Sequence, residues 1–182
     1  MAKILILFAH PAFEKSRVHS QLVAAIRGMQ GVTLHDLYEV YPDLNIDVRH
    51  EQSLLLQHDI ILFQHPLYWY SAPAIIKQWQ DLVLEHGWAY GRTGTALRGK
   101  MAGNVISAGA QEASYGKEGW HHFTINEFLL PFRQTAILCN MQYIEPFVVY
   151  GTHRLSYTGI QEQAVSYKQM LERLRDGQLK IQ

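Results

Sequence analysis

With one cysteine, Cys139, among 182 residues, the chain can close no internal disulfide and build no multi-cysteine metal site. That scarcity fits a reducing cytoplasm. Neither sign of charge is in excess. Lys plus Arg and Asp plus Glu number 16 each, so the formal net charge is zero with the ten His neutral. A nucleic-acid footprint or an anionic-membrane patch would need a basic surplus, and there is none. Long apolar runs are lacking too. Met1-Ala2-Lys3 leads into an aliphatic stretch from Ile4 to Ala9 that is too short to span a bilayer. It continues into His10-Pro11 without an Ala-x-Ala cleavage pattern, so neither export nor membrane insertion is expected. Several chemical signatures are also missing. Without G-x-G-x-x-G or G-x-x-x-x-G-K-[ST], dinucleotide and P-loop sites are disfavoured, and without G-x-S-x-G a serine-hydrolase elbow is too. His50-Glu51 lacks the second His of H-E-x-x-H, and His121-His122 are adjacent, so no metal site is expected. Cys139 lies between an apolar helix and a strand and reads as a buried core thiol.

What is present is an alternation. At 48% hydrophobic and 18% charged residues, the chain has the composition of an ordinary globular domain, and residues 1–182 are expected to form one. The continuous aliphatic run Lys3 to Ala9 reads as a strand covered on both faces, and Val32 to Leu37, Asp59 to Gln64, Met101 to Ala108 and Ile144 to Tyr150 read as further strands. Stretches of helical period separate them. Ser16 can cap a helix bearing Leu22, Val23, Ile26 and Met29, ended by Gly28 or Gly31. Tyr41-Pro42-Asp43 is a turn, and Glu51 to Gln57 a short helix. Pro73 suits the first position of a helix striped by Ile75, Ile76, Trp79, Leu82 and Val83. Another helix runs from about Asn126 to Asn140 with a bend at Pro131. A last one carries Ile160, Ala164, Tyr167, Leu171 and Leu174 on one side. Strands alternating with helices predict an α/β fold: a doubly wound, five-stranded parallel sheet with helices on both faces.

In such a sheet, ligands bind beyond the carboxyl ends of the strands, which singles out three loops. The first, His10 to His19, carries two His, Lys15, Arg17 and the Ser16 hydroxyl at a helix start, where backbone amides can hold a phosphate; Ser16 as a plain cap is the competing reading. The second, His65 to Pro73, sets Tyr68, Trp69 and Tyr70 in succession off any helical spacing, which suits a flat aromatic ligand. The third, Ser107 to Tyr115, offers Ala108, Gly109 and Ala110, small enough for a ring to lie against backbone. His121 follows Tyr115 by six residues, so a phenol and an imidazole could both donate to an oxygen gaining electron density.

At these residues the chain resembles the flavodoxin-like NAD(P)H:quinone oxidoreductase family, over about Ile4 to Tyr150. Within it the chain is most similar to the ancillary subunits of glutathione-gated Kef potassium-efflux systems. Tyr41-Pro42-Asp43-Leu44-Asn45-Ile46-Asp47, Gln64 through Pro73 and His86-Gly87-Trp88-Ala89-Tyr90-Gly91 carry the likeness. The resemblance implies a flavodoxin-like sheet of order 2-1-3-4-5. It implies that His10, Ser16, Arg17, Val18 and His19 hold a flavin's phosphate and ribityl chain. Pro66, Leu67, Tyr68, Trp69 and Tyr70 would cradle the isoalloxazine, and Ser107, Ala108, Gly109 and Ala110 would meet its other edge. Tyr115 and His121 match the pair that assists hydride transfer. Two departures stand out: His19 replaces a common Asn, and Ser107-Ala108-Gly109-Ala110 replaces a Thr-Thr-Gly-Gly run. FMN is the implied cofactor, with FAD the alternative; NAD(P)H is the co-substrate and a quinone the acceptor. Two function classes stay open. One is an oxidoreductase passing two electrons from NAD(P)H through flavin to a quinone. The other is a regulatory subunit that docks on a potassium-efflux protein at the inner face of the membrane and activates it. Trp88, Tyr90, Trp120 and Phe123, near the pocket, together with the family's habit, suggest a homodimer.

Overall fold

The structure, a computed structural model, describes residues 1–178, so the last four positions of the expected domain lie outside it. In chain order the elements are β1 (Ile4–Phe8), α1 (Arg17–Ile26), β2 (Val32–Asp36), α2 (Leu37–Val40), α3 (Val48–Gln57), β3 (Ile60–Pro66) and α4 (Ala74–Val83). After these come β4 (Met101–Ser107), α5 (Ile125–Phe128), α6 (Leu130–Leu138), β5 (Gln142–Tyr143), β6 (Phe147–Val149) and α7 (Tyr157–Arg175). The sheet is parallel throughout, with order β2-β1-β3-β4-β5, and β6 also pairs with β4. This is the doubly wound flavodoxin-like arrangement, with strand order reversing between β1 and β3.

Alternation along the strands sorts the core into two layers. From β1 and β3, Ile4, Ile6, Phe8, Ile60 and Leu62 face α1 and α7, where they meet Val18, Leu22, Ile26, Tyr167 and Leu171. Leu5, Leu7, Ile61 and Phe63 face the other way, toward Leu55, Ile75, Ile76, Trp79 and Phe132. Both faces are therefore dry, which is why these strands read as unbroken apolar runs rather than as alternating ones. Leu22 and Trp79 are fully buried, and truncating a residue of this kind to Ala costs about 2–5 kcal/mol.

Four sequence expectations need correction. The fifth strand is not continuous from Ile144 to Tyr150: β5 and β6 are separated by Ile144–Pro146, where Pro146 offers no N–H to a ladder. The helix expected over Asn126 to Asn140 is two helices. Leu129 ends α5, and Pro131 sits in the opening turn of α6, where a missing N–H costs nothing. Pro73 is the N-cap of α4 rather than its first residue, and Leu82 is 38% exposed, off the buried stripe. The third helix starts at Val48, capped by Asp47, three residues before Glu51. The α7 stripe of Ile160, Ala164, Tyr167, Leu171 and Leu174 is buried throughout.

Candidate functional site

The carboxyl ends of β1, β3 and β4 bring the three loops to one edge. Register places Phe8 beside Gln64 and Pro66 beside Ser107, and the Leu67 N–H donates to the Ser107 carbonyl at 2.8 Å. In the first loop a short turn over Phe13–Lys15 leads to Ser16, whose extended backbone opens α1 and whose Oγ accepts from the His19 N–H at 3.1 Å. Ser16 is thus an N-cap. Among the described residues the next two amides, of Arg17 and Val18, have no acceptor, so they remain for an anion at the positive end of the helix. The Arg17 guanidinium donates to the Leu155 carbonyl at 2.9 Å, which fixes the side chain over the loop. His10 accepts from the Ala12 N–H through Nδ1, and burial lowers its pKa although Glu14 opposes the shift.

His19 sits differently from its neighbours. It is fully buried and turned inward, with Nε2 3.0 Å from Ser107 Oγ and Nδ1 3.3 Å from Gln64 Nε2. Burial, together with the nearby His10 and His65 side chains, pushes its pKa down to about 3 against an opposing interaction with the His65 backbone. The imidazole is therefore neutral and supplies no charge to a phosphate.

The second loop holds the most unusual backbone. The Ser71 N–H donates to the Tyr68 carbonyl at 3.0 Å, and the two residues between, Trp69 and Tyr70, have φ of 48° and 62°. Two left-handed central residues make a primed turn, which normally calls for Asn-Gly. Filling it with two aromatics costs roughly 1–2 kcal/mol per residue, and strain of this kind persists at functional sites. The turn lifts Trp69 to 93% exposure and leaves Tyr70 half-exposed, lying parallel to Phe128 at 4.9 Å.

The third loop closes the site. Tyr115 and His121 stack with ring centroids 4.5 Å apart, and Tyr70 meets His121 edge-on at 5.5 Å, so the structure brings this pair to the aromatic turn. Burial raises the Tyr115 pKa, against the Ala110 amide, which favours the phenolate. Beneath the edge, the buried His65 donates from Nδ1 to the Pro66 carbonyl and accepts from Asn104 through Nε2. Asn104 in turn accepts from the Tyr143 hydroxyl at 2.6 Å.

One contributor escaped the sequence reading. Residues 151–155 form a fourth loop over the site: the Gly151 N–H donates to the Ala110 carbonyl and the Thr152 N–H to that of Ala108. A Cβ on Gly109 would come within 2.9 Å of His153 Nε2. No spacing announces this segment; only the rule that every strand's carboxyl end faces the ligand could have found it. Of the four aromatics assigned to an interface, Trp120 is 89% exposed and Phe123 half-exposed, whereas Trp88 and Tyr90 pack against the core.

A second polar cluster lies on the opposite face of the sheet. His35, His50 and Glu51 offer ligand atoms within 4.8 Å of one another, a grouping hidden by the fourteen positions between His35 and His50. Glu51 is saturated without an ion. Its Oε1 accepts from Tyr41 and His35 and its Oε2 from Trp79, all at 2.6–2.7 Å. Burial raises its pKa, and the three donors outweigh that and hold the carboxyl below its ordinary value.

A doubly wound sheet with an anion-ready helix start and an aromatic turn at one switch-point edge defines a class of ligand-binding α/β proteins. The chain belongs to the flavodoxin-like family, whose model matches residues 2–174. It is 42% identical over 170 residues to KefG, the ancillary protein of the glutathione-regulated potassium-efflux system of Yersinia pseudotuberculosis, covering 93% of each chain. Two solved structures are similar as well. The general stress protein 14 of Treponema denticola, in complex with FMN, is 39% identical with a TM-score of 0.91, over 94% of this chain and 99% of that one. An NADPH-quinone reductase of P. pentosaceus is 37% identical with a TM-score of 0.84, over 92% and 96%.

Proposed function

We propose that the chain is a flavin-dependent oxidoreductase carrying two electrons from NAD(P)H to a quinone, with FMN as the bound cofactor and residues 1–182 acting as one domain. The observation that carries this reading is the strained Trp69–Tyr70 turn, set against the Tyr115–His121 stack at the same edge as the unpaired α1 amides. The residues fit the cofactor at both ends. Two free amides and a hydroxyl suit one phosphate, and exposed aromatic faces suit a ring. Among the described residues these groups would hold one phosphate, which favours FMN over FAD. The similarity to an FMN-bound structure supports the same choice.

When bound, the flavin supplies the two-electron redox chemistry. The chain does the rest. The Arg17 and Val18 amides with the Ser16 hydroxyl would hold the phosphate. Leu67, Trp69 and Tyr70 would orient the ring and exclude water from it, and Ser107, Ala108, Gly109 and Ala110 would present backbone and small side chains to it. The Tyr115 hydroxyl and the His121 imidazole donate hydrogen bonds to an acceptor oxygen as it gains electron density. A homodimer covering Trp69, Trp120 and Phe123 would remove three exposed rings from water beside this site. We place the protein in the cytoplasm because its single cysteine suits a reducing compartment.

The KefG similarity favours a second role for the same fold: docking on a potassium-efflux membrane protein. Releasing the cofactor by heat, identifying it by mass, and following NAD(P)H oxidation with a small benzoquinone tests the primary reading. FMN and quinone-dependent oxidation are expected; a colourless protein that binds no FMN overturns it.

A further inference from the structure

Behind the first and third loops runs a chain of four side chains: Tyr167 on α7, Gln64 on β3, His19 on α1 and Ser107 at the end of β4. The Tyr167 hydroxyl is 2.7 Å from Gln64 Oε1, Gln64 Nε2 is 3.3 Å from His19 Nδ1, and His19 Nε2 is 3.0 Å from Ser107 Oγ. Tyr167, Gln64 and His19 are completely buried; Ser107 is the partly buried end that reaches the edge.

Such a chain can run in either direction, because a carboxamide can flip and an imidazole can exchange tautomers. Its direction is decided at the closed end. Burial raises the Tyr167 pKa, so the phenol keeps its proton and must donate it. Gln64 is its hydrogen-bond partner among the described residues, so Gln64 Oε1 accepts. That turns the Gln64 amino group toward His19, whose Nδ1 must then accept. With its pKa at about 3 the imidazole carries a single proton, which is left on Nε2. Nε2 donates to Ser107 Oγ, and the Ser107 hydroxyl proton is left pointing away from the interior, toward the edge where the loops meet.

We propose that Tyr167 is a positioning residue for the flavin site: it sets the direction of the Tyr167–Gln64–His19–Ser107 chain so that Ser107 meets the bound flavin as a hydrogen-bond donor. Reversal would make Ser107 spend its proton on His19 and present only lone pairs. An acceptor atom on the ligand, such as a phosphate, ribityl or ring oxygen, is favoured by the first state and repelled by the second. His19 is needed for this linkage, because the shorter Asn side chain cannot span from Gln64 to Ser107. The role in cofactor binding rests on the flavin reading; the direction of the chain does not.

Two measurements separate those parts. In the full-length protein without cofactor, nitrogen NMR of the His19 ring is expected to show the proton on Nε2 in wild type and a mixture of tautomers in Tyr167→Phe, a change that leaves the core volume unaltered. FMN titration gives the second readout. Tyr167→Phe and Ser107→Ala are each expected to weaken FMN binding about tenfold, and the Tyr167→Phe effect is expected to vanish in the Ser107→Ala background. A proton on Nδ1 in wild type, or an unchanged tautomer in Tyr167→Phe, overturns the chain's direction. Additive losses in the double variant overturn the action through Ser107. If the tautomers behave as stated while wild type binds no FMN, the flavin reading fails and the directed chain stands.

Discussion

Of the buried histidine networks, the two that lie on opposite faces of the sheet around Glu51 and around His19 end differently. On the α3–α4 face, Tyr41, His35 and Trp79 all donate to Glu51, and the network closes on a single carboxylate. On the α1–α7 face, Tyr167, Gln64, His19 and Ser107 form a line with one free end, and that end lies at the loops. The same residue types thus serve two purposes. A closed network anchors α2 and the Tyr41 turn to the core, whereas an open one carries the orientation of a buried group to a surface where a ligand binds.

The largest expected effect comes from breaking the closed network. Glu51→Ala strands three buried donors and is expected to destabilise the protein by about 3–5 kcal/mol in chemical denaturation, with the folded fraction still binding FMN at wild-type affinity. Equal losses of stability and FMN affinity would erase the distinction between the faces.

Comparable in size by pH 5 is the response to acid. His19, lowered to about 3, and His65, lowered by burial to about 4, are neutral when folded but take up protons near pH 6.5 when unfolded. The unfolded state therefore binds more protons between those values. Stability is expected to fall as pH drops below about 6.5, by about 1.4 kcal/mol per pH unit for each histidine, until the folded pKa values are reached. Denaturation midpoints at pH 7, 6 and 5 check this, and His19→Asn should flatten the slope.

The aromatic turn gives the third contrast. Trp69→Asn with Tyr70→Gly supplies residues that suit two left-handed positions. It is expected to raise stability by about 1 kcal/mol in thermal melts while weakening FMN retention. Stability and affinity moving together would place the strain outside function. Smaller still in structural terms, Tyr115→Phe and His121→Gln are expected to slow flavin reduction by NAD(P)H in stopped flow with FMN affinity nearly intact.

These contrasts track what a sequence can announce. Strands covered on both faces, the Ser16 cap and the α7 stripe were legible because periodicity and capping are local. The break between β5 and β6 was missed although Glu145 and Pro146, both poor strand formers, stand inside the run, and the interrupted ladder is what reveals it. At the site, loop positions followed from topology, and the Tyr68–Tyr70 aromatics stood out by composition. What escaped were long-range pairings: Gln64 with Tyr167 across 103 positions, Arg17 with Leu155 across 138, and His35 with Glu51 across 16. Each is a hydrogen bond between elements that only the finished sheet brings together. His19 shows the cost, because its place in the loop suggested a phosphate ligand while its ring faces the interior.

The most direct test deletes one hydroxyl from each network. Tyr167→Phe removes a buried phenolic donor from the Gln64 carboxamide oxygen and Tyr41→Phe one from the Glu51 carboxylate, and each is expected to lower stability by about 1–2 kcal/mol. FMN affinity should separate them: Tyr167→Phe is predicted to bind FMN about tenfold more weakly, and Tyr41→Phe to match wild type. Equal affinities for the two variants would contradict the account.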